Sequence, residues 1–332
     1  MASKTTPRIT VLGSLNIDLV SYVSHHPLPG ETMTADRVAI SPGGKGANQA
    51  VACAKLSRAR PSTSEQSAFE GEETAKVSML GCVGNDTYGN LLRENLSKHG
   101  VDVRGVDVIE GVKTGMAIII VDKPTGENRI ILSPEANHEE KPGHFLRAWS
   151  PPPDLLIMQL EIPLETVIQA TQVAKEAGVA VLLNPAPAQT LPEEVYQGLA
   201  HLVVNETEAA MLGECEVSVL DDEAGLEKVA RGFIERGVET VIITLGGRGV
   251  YYMTGRRGEK GLLPAEKAKV VDTTAAGDTF VGMYALEVVK ARSEGKEFDV
   301  AGAVRKSNKA AAKTVEQAGA QDSIPWRDEL VE

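Results

Sequence analysis

Short β-branched runs alternate with amphipathic stretches along most of the 332 residues. The apolar runs are "ITVLG" from Ile9, "KVSMLGCVG" from Lys76, "DLLIMQL" from Asp154, "VAVLLN" from Val179, "HLVVN" from His201 and "TVIITLG" from Thr240. Each is short and β-branched, as strands buried on both faces are. Between them, "PLETVIQATQVAKEAG" and "LEKVARGFIERG" place apolar residues at helical spacing. This order predicts βαβ units, and so an α/β fold with a doubly wound, mainly parallel sheet. Gly178 and Gly237 end predicted helices just before the next strand, where glycine commonly closes a helix. There is no internal repeat.

Two stretches break the rhythm. "TGMAIIIVDKPTGENRIILS" is two alternating runs joined by Pro124, Thr125 and Gly126, which predicts a hairpin between α/β units. Together with the extended segment between Asp18 and Ile40 it predicts a small separate sheet. "ARPSTSEQSAFEGEET", Ala59 to Thr74, is rich in Ser, Thr, Glu and Pro and reads as a solvated, flexible insertion between a helix and the next strand.

Composition narrows the class without choosing an activity. A hydrophobic content of 42% fits a soluble globular chain, and a net charge of -12 leaves no overall basic face for nucleic acid. Cys53, Cys82 and Cys215 lack CxxC spacing and leave one thiol over in any pairing, which points to a reducing compartment. The N-terminus is polar to Arg8, and its apolar run is broken by Asn16 and Asp18, so it reads as a strand and not a signal peptide. No stretch supplies the roughly 20 apolar residues of a membrane span. The expected location is cytoplasmic, with a nuclear fraction compatible.

Chemistry gathers where strands end and helices start. "SPGGKGANQA", Ser41 to Ala50, opens a helix with glycines whose backbone N–H groups can approach a polar ligand, although a tight glycine turn explains them equally. Asn16 and Asp18, two apart on an extended segment, share a face and suit vicinal hydroxyls, or else form an Asx turn. Asn184 and Asn205 follow apolar strands, on the rim where open parallel sheets bind ligands. Asn205 and Glu208 share a helix side, an arrangement suited to hydrated magnesium, while acidic residues there also match the helix dipole. "TLGGRGV", Thr244 to Val250, either cradles a nucleotide through its backbone or closes a hairpin. "DTTAAGDTF", Asp272 to Phe280, poses the sharpest problem, because Ala275, Ala276 and Gly277 bare the start of a helix as an anion hole and Asp278 would repel an anion there. A phosphoryl group in transit reconciles the two: Asp278 takes the proton of an attacking hydroxyl while the N–H groups steady developing charge.

Taken together, "GSLNIDLV", "GGKGANQAVA", "GCVGNDTYG", "MQLEIPLE", "LLNPAPA", "NETEA", "ITLGGRGV", "DTTAAGDTFVG" and "GAQDSIPW" resemble the PfkB sugar-kinase family over nearly the whole chain. The resemblance implies a single domain over residues 1–332 with lid segments at about 14–41 and 105–135. It implies ATP-dependent phosphorylation of D-ribose at the 5-hydroxyl, the alternatives being another furanose or a nucleoside, or a silent sensor on the same fold. It implies sugar held by Asn16, Asp18, Gly44, Lys45, Gly46, Ala47, Asn48, Glu161 and Asp278. ATP is expected near Asn205, Thr244, Leu245, Gly246, Gly247, Arg248, Gly249, Gly277 and Asn308, with Glu208 supporting magnesium and Asp278 as base. Potassium is implied at Asp272, Thr274, Thr314, Gln317, Gly319 and Ser323, and the hairpin from Gly115 to Ser133 as a lid and homodimer surface. The insertion at 59–74 and "KPGHFLRAWSPPP" depart from compact family members without interrupting a motif.

Overall fold

A computed structural model describes residues 5–61, 73–139 and 151–330. The strand β1 (Arg8–Leu12) lies third from one edge of a nine-stranded sheet, flanked in parallel by β4 (Lys76–Gly84) and β8 (Leu155–Met158). Beyond β4 lies β5 (Asp102–Ile109). Beyond β8 follow β9 (Ala180–Leu183), β10 (His201–Asn205) and β11 (Thr240–Thr244), all parallel. The far edge turns antiparallel through β12 (Val250–Thr254) and β13 (Lys260–Leu263).

Alternation along each strand divides the core into two layers. Ile9, Val11, Leu155, Ile157, Val203 and Ile242 pack with α1 (Lys45–Ser57), α2 (Thr87–Lys98), α7 (Ala276–Ser293) and α8 (Val300–Thr314). Leu12, Leu156, Met158, Val204 and Ile243 pack with α3 (Leu164–Glu176), α4 (Glu193–Tyr196), α5 (Glu206–Leu212) and α6 (Glu223–Glu235). The sheet is thus covered on both faces, the doubly wound arrangement expected from its continuous apolar runs. Helix α1 is buried almost all round and lies against α7, with Gly282 facing the backbone of Ala52 and Cys53 too closely for a side chain.

A second sheet of four strands stands off the first, in the order β3 (Arg37–Gly43), β2 (Asn16–Val23), β6 (Gly115–Asp122), β7 (Asn128–Ser133). The predicted hairpin is β6–β7, and β2 pairs parallel with β6 and antiparallel with β3. The lid boundaries need correction: residues 105–109 lie in β5, paired with β4 at the edge of the large sheet, and the first lid segment extends past 41 to Gly43. Alternating valines in "DVRGVDVI" match a half-buried strand of either sheet, and only pairing decides between them. Most of the insertion read at 59–74, and most of "KPGHFLRAWSPPP", lie outside the described residues. Among the described residues no helix is long and apolar enough to cross a membrane.

Candidate active site

The carboxyl ends of the parallel strands meet the starts of α1, α5 and α7 around a cleft of about 230 Å³, lined among others by Lys45, Asn184, Asn205, Glu208, Thr244, Ala275, Gly277 and Asp278. A cavity of about 600 Å³ lies at the opposite ends of β1 and β4, beside Arg8 and Lys76. It sits at the wrong end of the strands for ligand binding by an open α/β sheet.

The start of α7 is unlike the starts of α2, α6 and α8, which Asp86, Asp222 and Asp299 cap with their side chains. No side chain caps α7, and Ala275 before it sits at φ 60, a left-handed conformation costly for any residue with a Cβ. A Cβ on Gly277 would meet open space, so the helix start faces the cleft unobstructed. Helix α1 also begins without a side-chain cap, at Gly44 with φ 88. A Cβ at Gly44 or Gly46 would strike backbone between Gly13 and Asn16, so these glycines let α1 start directly against the turn after β1.

Asp278 is buried, and both of its oxygens accept hydrogen bonds from α1: Oδ2 from Asn48 Nδ2 at 3.0 Å and Oδ1 from Gln49 Nε2 at 2.9 Å. Glu161, just past β8, accepts at one oxygen from Ser14 Oγ at 2.5 Å, Lys45 N at 3.0 Å and Asn16 Nδ2 at 3.4 Å. Asn137 fixes Asn16 by donating to its Oδ1 at 2.7 Å. Asp18 lies against Gly43, which has no room for a side chain there. Burial, with the nearby charges of Glu161 and Asp278, raises its carboxyl to about 7. Burial works against the charge on Lys45, but Asp278, Glu161 and Glu208 prevail and hold its ammonium above the ordinary value. Burial raises Glu208, against hydrogen bonding from Asn205 and the charge of Lys45.

Asn205 and Glu208 form a reciprocal capping box on α5, with Glu208 taking bonds from Asn205 N at 2.8 Å and Asn205 Nδ2 at 2.9 Å. The turn expected at "TLGGRGV" joins β11 to β12, and Gly249 adopts φ 107 where a Cβ would collide with Leu263 O. Thr244 lines the cleft, whereas Leu245 turns into the core. Arg248 is engaged by Glu206 and by the carbonyls of Leu220 and Asp221 at 3.0 and 3.2 Å, so its guanidinium braces the turn. Asn308 on α8 donates to Pro264 O at 3.2 Å.

Of the residues expected at a cation, Asp272 is bonded to Thr274 Oγ1 at 2.6 Å and to Gly319 N at 2.9 Å, joining two loops. Gln317 N closes onto Thr314 O at 3.2 Å in the second of these loops. The other hydroxyls turn elsewhere: Thr314 bonds Thr279 Oγ1 at 2.9 Å, and Ser323 bonds Ala320 O at 2.9 Å. Among the described residues no three His, Cys, Asp or Glu side chains form a ready-made metal cage.

Reading by motif missed the Ser14 hydroxyl and the amides behind the site: Gln49, Asn137, Gln159 and Gln321 were not expected there, and Asn184 was expected only on the rim. A single polar residue inside an otherwise apolar run marks Gln159 in "DLLIMQL", whereas Asn137 and Gln321 stand in polar stretches that carry no such signal.

A polar cleft with a buried carboxylate at an open helix start and a lysine beside it has the chemistry that phosphoryl transfer in the sugar-kinase class calls for. The family model described as pfkB family carbohydrate kinase matches residues 6–327, and the chain belongs to that family, as an ATP-dependent sugar kinase. The ribokinase of Schizosaccharomyces pombe is 44% identical over 326 residues, covering 96% of this chain and 94% of that one. The crystal structure of ribokinase from Thermotoga maritima matches with a TM-score of 0.80 at 40% identity over 97% of both chains. Arabidopsis thaliana ribokinase, complexed with ribose and ATP, matches with a TM-score of 0.83 at 28% identity over 98% of both chains.

Proposed function

We propose that this kinase transfers the terminal phosphoryl of ATP to the 5-hydroxyl of D-ribose, giving ribose 5-phosphate and ADP. The observation that carries the reading is Asp278, a buried carboxylate with donors on both oxygens at the uncapped start of α7. Its relatives' names and the ribose and ATP in one of them supply the substrate. The sugar lies among Asn16, Asp18, Asn48 and Glu161, whose mixed donors and acceptors match a ring of hydroxyls. Asp278 takes the proton of the attacking hydroxyl as the oxygen–phosphorus bond forms, and the backbone of Ala275, Ala276 and Gly277 steadies the charge on the passing phosphoryl. ATP occupies the side of Asn205, Thr244 to Gly249 and Asn308, where the "TLGGRGV" turn offers backbone more than the braced Arg248.

Glu208 fits magnesium held through water, since its oxygens already serve Asn205 and one carboxylate beside substrate phosphates is the usual protein share. Magnesium there would neutralise phosphate charge during transfer. A potassium ion at the joined loops of Asp272 and Gly319 would act on α7 through loop geometry; equal turnover in potassium and a large organic cation would refute it.

The small sheet closes over the sugar and pairs with a second copy. By register Ile40, Leu19, Ile118 and Ile131 form one row across its four strands, and Ile40, Ile118 and Ile131 are exposed, so a partner covers an apolar face. A coupled ADP-release assay across ribose, 2-deoxyribose, fructose, adenosine and pseudouridine tests the substrate. The largest kcat/KM for ribose is expected, and preference for a nucleoside or another furanose overturns the assignment.

A further inference from the structure

Behind Asp278 the amides form a chain whose direction is set at both ends. Gln49 Nε2 donates to Asp278 Oδ1 at 2.9 Å and to Asn184 Oδ1 at 3.0 Å, while Asn184 Nδ2 is committed to Val203 O at 2.9 Å. A carboxylate and a carbonyl accept only, so Asp278 and Asn184 each require Gln49 to present its nitrogen. The oxygen of Gln49 must therefore face away, and Gln159 Nε2 meets it at 2.6 Å. Gln159 is fully buried and its own Oε1 has no hydrogen-bond partner. An orphaned buried acceptor is tolerated only where something outweighs it, and here reversing the Gln159 amide would aim oxygen at oxygen and release Gln49. Gly13 makes the room, because a Cβ on it would overlap Gln159 Oε1.

We propose that Gln49, locked by Gln159, is a positioning residue that holds Asp278 by one oxygen and fixes its carboxylate at the cleft. The inference rests on Asp278 being the base. A donor on a carboxylate favours its charged form, so removing the donor moves proton uptake to higher pH. Other charges act on the same carboxylate: Asp18 from β2, Lys45 from α1 and Glu208 from α5, with Glu161 after β8 acting on Asp18 and Lys45. These remain in place when Gln49 or Gln159 is replaced, and saturating sugar occupies the Asp18 side.

The test is the pH profile of single-turnover phosphoryl transfer at saturating ribose and ATP, for Gln49→Met, Gln159→Met and Asp278→Asn. The acid limb of Gln49→Met is expected to move to higher pH, that of Gln159→Met by less in the same direction, with ribose affinity little changed. A purely structural role would lower melting temperature or rate evenly and leave the limb where it was. An unmoved limb in a folded Gln49→Met protein, with Asp278→Asn inactive, overturns the relay alone. If Gln49→Met does not fold, Gln159→Met decides by the same criterion. Near-normal turnover in Asp278→Asn overturns the base reading and the relay with it.

Discussion

Asn48 Nδ2 and Asp278 Oδ2 stand 3.0 Å apart although 230 positions separate them, so the first turns of α1 and α7 are tied at the cleft. Asn48 is held in turn by Gln321 Nε2 at 3.0 Å, and Gln321 by Asn95 Nδ2 at 2.6 Å. Two helices that both start without side-chain caps are thereby joined through one carboxylate, carried by α7 and holding two donors from α1. The side-chain donors of α1 meet it, and its place in the first turn of α7 sets it at the N-terminal end of that helix dipole.

This sharing shapes the expected outcome for Asp278→Asn. One acceptor becomes a donor facing either Asn48 or Gln49, so stability should fall by about 1–3 kcal/mol. Turnover should fall at least about a hundredfold through loss of the base, with ATP binding retained. Calorimetry for ATP and a rate measurement on the same sample separate the two effects, and turnover near wild type refutes the base assignment.

Gly277→Val tests the open helix start. Because a Cβ there meets nothing within 4 Å, the fold should tolerate the change to within about 0.5 kcal/mol, helped by a better helix propensity than glycine. The same branched side chain would stand in the path of the phosphoryl group, so turnover should drop by about tenfold or more. A destabilised but fully active variant would mean that the open space is not used by substrate.

The α/β order and the lid hairpin were legible because strand and helix periodicities differ and "KPTG" marks a turn. Asp278 was legible because an acid beside bare backbone needs a reason. The role of β5 was not, since "DVRGVDVI" has the same period in either sheet. Nor were Gln49, Gln159 and Asn137, because an amide buried by long-range hydrogen bonds leaves no local spacing to read. Arg248 shows the converse: a cation in a glycine turn suggests phosphate, yet Glu206 and two carbonyls claim it first.

Glu208→Gln should separate cap from cation. Glutamine keeps the bond from Asn205 N that closes the capping box but sets its amide nitrogen against Asn205 Nδ2, so melting temperature should fall modestly. With the charge gone, the magnesium concentration for half-maximal rate should rise by about tenfold. A magnesium titration that superimposes on wild type would remove Glu208 from the cation's surroundings.

Asp18 sets function against stability, and pH exposes the conflict. Its carboxyl is raised from 3.8 to about 7, chiefly by burial and then by the charges of Glu161 and Asp278. The folded chain therefore keeps a proton that the unfolded chain has already lost between these values. Its contribution to stability is fullest at acid pH, declines as pH rises through that window, and is lost above about 7. The full effect is on the order of 2–4 kcal/mol. Asp18→Asn removes the titration while keeping size. Relative to wild type its melting temperature should be lowest near pH 3, already higher by pH 5 and highest near pH 8, as the wild type loses the proton-linked stabilisation. Ribose phosphorylation should run the other way: kcat/KM for ribose in the wild type should rise from pH 6 to 8 as Asp18 ionises and accepts hydroxyl protons, and Asp18→Asn should abolish that rise together with most of the activity. Melting curves at these pH values decide the matter, for a difference between variant and wild type that does not change with pH would show that Asp18 is already ionised throughout.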